Sequence, residues 1–137
     1  MLRRFGVSLE EGLLTEFDRM LSREGYTNRS EAIRDLIRDA LVKKQWLDGE
    51  RITAGAVVLV YNHHQHELVQ KLTDVQHRRH ASVLSSLHIH LDEHNCLEVI
   101  LLKGKAREIQ EIADALISTR GVMHGQLVAS TTGDHLQ

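Results

Sequence analysis

The apolar positions change period along the chain, and each change marks an element. From Leu2 to Leu9, Phe5, Val7 and Leu9 alternate with Arg4, Gly6 and Ser8, the two-residue period of a short strand. From Glu10 to Glu24 the period becomes helical. Leu13, Leu14, Phe17, Met20 and Leu21 form one stripe, and Gly25 is the expected stop. TNRSEAIRDLIRDAL predicts a second helix, capped either by Thr27 or by Asn28 with Glu31 three residues on, and burying Ile33, Leu36, Ile37, Ala40 and Leu41. One strand and two helices in residues 1–47 cannot close a core, and the strand has no partner for its amides. Backbone accounting therefore predicts that two chains pair these strands into a ribbon over four helices.

Residues 48–53 are polar and turn-forming and read as a linker. In residues 54–137 the pattern predicts strand Ala54–Tyr61, helix His64–Arg79, strand Ser82–Leu91, strand Cys96–Leu102, helix Lys105–Thr119 and strand Val122–Ser130. This βαββαβ order is the ferredoxin-like arrangement, with both helices on one face of a four-stranded sheet, so the fold class is α+β. AVVLV and LEVILL are apolar on both faces, and such strands are normally covered on both. The second cover is expected to be another subunit. Two different self-association surfaces predict a homotetramer, a dimer of dimers.

A hydrophobic content of 42% supports a packed core, and no apolar run approaches a membrane span. No secretory leader is visible, and the single cysteine excludes an internal disulfide framework. A reducing cytoplasm is the expected home for that thiol. The net charge of −2 decides nothing about nucleic acid. The ten histidines do bear on function, because none precedes His63.

The chemistry gathers in SSLHIHLDEHNC. His88 and His90 share one face of their strand, and Cys96 opens the next strand beyond a tight turn. Leu87, Ile89 and Leu91 suit the helix-covered side, which predicts that both imidazoles face the other way. A closed site needs a fourth donor. DVQHRRH offers His77 and His80 near the end of a helix assigned to the opposite face, so a donor such as His77 is expected to reach the site of a facing subunit. Imidazole and thiolate suit zinc, copper or nickel, and the residues do not choose among them. Glu98 and Tyr61 are candidates to brace a ligand. His63, His64 and His66 read as a solvated cluster that could take extra metal; His124 and His135 read as ordinary.

Both halves resemble one known family. GYTNRSEAIRDLIRDAL, Val75–His77, LHIHLDEHNCLEV, the Lys103–Gly104 pair and RGVMHG resemble the nickel-responsive transcriptional regulators (NikR), which join a ribbon-helix-helix module to an ACT-like metal domain. The resemblance implies a DNA-binding repressor rather than an enzyme. It implies square-planar Ni(II), one per subunit, held by His88, His90 and Cys96 with His77 of a neighbour. Arg4, Gly6 and Ser8 would enter the major groove of a palindromic operator, and Asn28, Arg29 and Ser30 would meet phosphate. Nickel-loaded protein would repress nickel-uptake genes. Glu31 and Asp35 match a second, hard-cation site. This chain departs at Gly6, which has no side chain to read a base, and at Gln65 and His66, where relatives carry basic residues. The competing readings are an ACT-type amino-acid sensor, a regulator of another transition metal, a zinc hydrolase using Glu93 or Glu98, and a metal-free repressor.

Overall fold

The computed structural model describes all 137 residues. They fall into two compact units, Met1–Ala40 and Leu41–Gln137.

In the first unit, residues 1–10 form neither helix nor strand within the chain. Helix α1 (Glu11–Glu24) ends at Gly25, whose φ of 79° is the left-handed cap that glycine adopts freely. Helix α2 (Arg29–Leu47) starts at Asn28, and the Asn28 Oδ1 accepts the Glu31 N–H at 2.9 Å. Thr27 does not cap the backbone; its hydroxyl donates to the Glu31 carboxylate at 3.3 Å. Leu21 and Ala32 are the only buried apolar residues of this unit, while Phe5, Leu13, Leu36 and Ile37 are exposed. The helical stripes were foreseen, but one chain has nothing to lay them on.

The second unit begins within α2 and continues as β1 (Ile52–Asn62), α3 (His66–Arg78), β2 (Val83–His90), β3 (Asn95–Lys105), α4 (Ala106–Ile117) and β4 (Val122–Ala129). The sheet order is β2-β3-β1-β4, with every neighbouring pair antiparallel. Ile52 and Thr53, expected in the linker, belong to β1, and the buried Thr53 hydroxyl donates to the Ser130 carbonyl at 3.1 Å. Val57, Leu59, Tyr61, Ile100 and Leu102 of the sheet bury against Leu68 and Leu72 of α3 and Ile109, Ile112 and Leu116 of α4.

The strand register corrects the expected faces. Directly paired residues of antiparallel strands share a face. His88 pairs with Glu98 and His90 with Cys96, and Cys96 and Glu98 are buried on the side that carries the helices. His88 and His90 therefore lie on the helix side. Leu87, Ile89 and Leu91 lie on the open face and are exposed, as is Leu101. The physical reason is the sheet edge. Strand β2 is an outer strand, so its helix side is only partly roofed and tolerates imidazoles. The open face is apolar and takes the leucines.

Candidate metal centre

A short turn sets the register that matters. The Asp92 Oδ1 accepts the N–H groups of His94 and Asn95, both at 2.8 Å, and the Leu91 N–H reaches the Asn95 carbonyl at 2.9 Å. Those backbone donors hold the Asp92 carboxyl below its ordinary range. The reversal brings Cys96 back opposite His90. A slip of one residue would send both imidazoles to the other face.

Three donors and their supports lie around this hairpin. The Cys96 side chain is wholly buried in the chain, whereas His88 and His90 are exposed. Burial pushes the Cys96 thiol up, a hydrogen bond with Tyr61 pulls it partly back, and the nearby Glu98 charge raises it further. Behind the donors, the Tyr61 hydroxyl donates to Glu98 Oε1 at 2.7 Å and the Gln76 amide to Glu98 Oε2 at 3.1 Å. Burial first, then the Glu98 carboxylate, drives the Tyr61 phenol far up, so it stays protonated and can only donate to that acid. The Tyr61 ring lies 5.8 Å from the His88 ring. Glu98 thus braces Tyr61 and Gln76 rather than an imidazole.

The His63 cluster is less solvated than the sequence suggests. The His63 ring stacks on His90 with centroids 4.2 Å apart, and His64 meets His63 edge-on at 4.3 Å. The His63 Nδ1 is buried with no hydrogen-bond partner. Burial, followed by repulsion from the neighbouring His90 and His64 rings, lowers the His63 pKa. Near the turn, His64 Nε2 lies 2.9 Å from the Glu93 carbonyl, while His66 begins α3 in solvent.

His77 is exposed in the last turn of α3 and makes no ring contact or hydrogen bond with His88, His90 or Cys96. The expectation that its helix lies on the opposite face is overturned, because α3 packs on the same face as the three donors. No three His, Cys, Asp or Glu side chains of one chain converge as a metal-holding group. The donor set still fits a borderline-soft ion in kind: two accessible imidazoles and one thiol on adjacent positions of a hairpin, with a buried, partnerless imidazole nitrogen alongside. The set is incomplete within a single chain.

In the first unit, Arg4, Gly6 and Ser8 are exposed on the N-terminal segment before α1. Arg29 is engaged by Asp18 through two hydrogen bonds of 2.9 Å, and Ser30 follows it in the first turn of α2. Glu31 and Asp35 each hold other partners within the chain. Glu31 meets Thr27, and Asp35 accepts from the Tyr26 hydroxyl at 2.7 Å and from Arg38 at 3.4 Å. Gln76 was missed from sequence. A strand carboxylate at a buried position demands donors from the covering helix, and that demand would have pointed to it.

Two family profiles match the chain in the order of its units. Residues 3–44 match the ribbon-helix-helix protein, copG family, and residues 54–130 match the NikR C terminal nickel binding domain. The chain is 56% identical over 97% of its length to a nickel-responsive regulator of Geobacter metallireducens, covering 96% of that protein. It is 53% identical to one of Thermococcus onnurineus, over 98% of each. A solved structure of an uncharacterized protein from Thermotoga maritima shares the fold alone, at 14% identity and a TM-score of 0.51 over 57% of this chain and 96% of that one. No helix is long and apolar enough to cross a membrane. With both domains matched and relatives this similar over almost the whole chain, the protein belongs to the nickel-responsive regulator family, DNA-binding regulators rather than enzymes.

Proposed function

We propose that the protein is a cytoplasmic repressor of nickel-uptake genes that binds its operator when loaded with Ni(II). The observation that carries this reading is the hairpin register, which sets His90 against Cys96 and His88 against Glu98 on one face. His88, His90 and Cys96 would hold the ion together with His77 of another subunit, one ion per subunit, in a tetramer built as a dimer of dimers. The failure of His77 to meet the other three within one chain supports a donor supplied between chains. The ion supplies a bridge between subunits when bound.

The chain's own residues have defined tasks in this reading. Cys96 must release its proton to become a thiolate donor. Tyr61 and Gln76 fix Glu98 behind the site and tie the end of α3 to β3. In the ribbon unit, Arg4 and Ser8 would read bases of palindromic half-sites in the major groove, with Gly6 allowing close approach. Asn28, Arg29 and Ser30, at the start of α2, would meet phosphate. For nickel to act as corepressor, the arrangement that holds it better must also hold DNA better.

Absorption titration with Ni(II), followed by gel shift on candidate operators, tests this. A thiolate-to-nickel charge-transfer band lost in Cys96→Ala, with operator binding that chelator abolishes, is the expected result. Equal operator affinity with chelator and with stoichiometric nickel would sink the reading.

A further inference from the structure

A DNA-binding chain with a net charge of −2 must concentrate its cations locally, because screening limits their reach to about 8–10 Å at physiological salt. Two obvious places are weak here. Arg29 is already held by Asp18, and the residues that open α3 are Gln65 and His66 rather than bases.

One face of α3 is better supplied. Lys71, Asp74, Val75 and Arg78 recur at helical spacing and, with Thr119 and Arg120 from the turn between α4 and β4, line an open cleft of about 320 Å³. Its single acid, Asp74, accepts a hydrogen bond from Gln70 at 2.9 Å. Lys71 meets Glu67 only loosely, at 3.5 Å, with both side chains exposed. Arg78 and Arg120 form no ion pair within the chain, whereas Arg79, one residue on, pairs with Glu111 at 3.3 Å. Thr119 commits its hydroxyl proton to the Ala115 carbonyl at 2.7 Å, so of the lining side chains only the cations remain to receive an anion. The turn is fixed. Gly121 has φ +105°, and a Cβ there would come within 3.0 Å of both Leu68 Cδ2 and Gln65 Oε1. That close approach presses the turn onto α3 and keeps Arg120 beside the helix.

We infer that this cleft takes a phosphate group of the DNA backbone, with Arg78 and Arg120 as its charge-assisted donors and Lys71 as a weaker third charge. Guanidinium forks match a phosphate's oxygens in pairs. Such a contact raises affinity and fixes orientation, and it carries no sequence information. The inference rests on the reading of the chain as an operator-binding repressor.

The test uses the full-length, nickel-loaded protein with Arg78→Gln and Arg120→Gln combined. Both side chains are exposed, so the fold is expected to hold, and the single variants stand in if the double one does not. The slope of log affinity against log salt should fall by about 1 per cation removed, equally on operator and unrelated duplex. The nickel charge-transfer band should not change. Arg79→Gln, the same charge change one position away, should leave the slope alone. An unaltered slope in the double variant, or an equal fall in Arg79→Gln, overturns the inference. So does saturable binding of inorganic phosphate that the double variant loses without any change in the DNA slope, since this assigns the cleft to free phosphate. Absence of a nickel band or of nickel-dependent binding in the unaltered protein defeats the repressor reading instead, and the salt slopes of its DNA binding still decide the cleft.

Discussion

Residues 1–40 leave Phe5, Leu13, Leu36 and Ile37 in water, whereas residues 41–137 bury Val57, Leu59, Ile109 and Leu116 completely. The first unit lacks a partner for its apolar surface and for its N-terminal backbone. The second has a core of its own, although the apolar open face of its sheet is uncovered and, in the proposed reading, its site lacks a donor. Under that reading, dependence on a second chain is a matter of folding in the first unit and of chemistry in the second. A substitution can attack either dependence alone.

The largest effect should come from the first unit. Phe5→Asp removes apolar surface that only a second chain can cover, twice per dimer. At about 1.5–3 kcal/mol for each large side chain, dimer affinity falls by at least about a hundredfold, and operator binding with it. Sedimentation at micromolar concentration and gel shift are the checks. The sheet signal of the second unit should persist. If operator binding survived, the ribbon would not depend on pairing and the comparison would fail.

The two units were not equally legible in sequence. Helical stripes such as Leu13–Phe17–Leu21 were readable because period depends on local geometry, and the βαββαβ order was readable because each strand is bounded by a turn. Face assignment at β2 was not readable. The pattern assigns Leu87 and Ile89 to the covered side because apolar residues usually seek it, but here the uncovered side is itself apolar and the covered side is a partly roofed edge. His88, His90 and Cys96 still fall on one face of one hairpin, because that needs only the period of two and a tight turn, although their side chains do not close into a metal-holding group within one chain. The Glu98–Tyr61–Gln76 link depends on how α3 packs, which no local pattern encodes.

That link sharpens the comparison from inside the second unit. Tyr61→Phe leaves the buried Glu98 carboxylate with one side-chain donor, Gln76, where it now has two. A cost of about 1–3 kcal/mol in denaturant unfolding of this unit is expected, without loss of dimerisation through the ribbon. Unchanged unfolding would mean that solvent replaces the phenol and that the site is wetter than its burial indicates.

A pH series separates chemistry from folding next. Burial raises the Cys96 thiol above its ordinary value of 9.0, so the proton is in place at neutral pH and metal capture must expel it. Apparent nickel affinity should therefore rise about tenfold per pH unit from that proton alone, measured by competition with a chelator of known pH dependence. The stability term has the opposite sense. A raised thiol pKa favours the neutral form in the fold, so its contribution is complete below the ordinary thiol value and is lost as pH climbs through the raised one. Affinity that is flat with pH would show a thiolate already present in the free chain.

The smallest effect belongs to the exposed pair that ties α1 to the start of α2. The Arg29 guanidinium holds the Asp18 carboxyl below its ordinary range, yet both side chains are about half exposed and solvent screens them. Asp18→Asn should leave the melting temperature essentially unchanged. Its consequence should appear in DNA binding instead, because Arg29 is released for phosphate and a nearby negative charge is lost. Operator affinity should rise by no more than about fivefold at low salt, and the gain should shrink as salt increases. A fall in affinity would mean that Asp18 holds Arg29 in the pose DNA requires, making the ion pair part of the binding surface rather than a competitor for it.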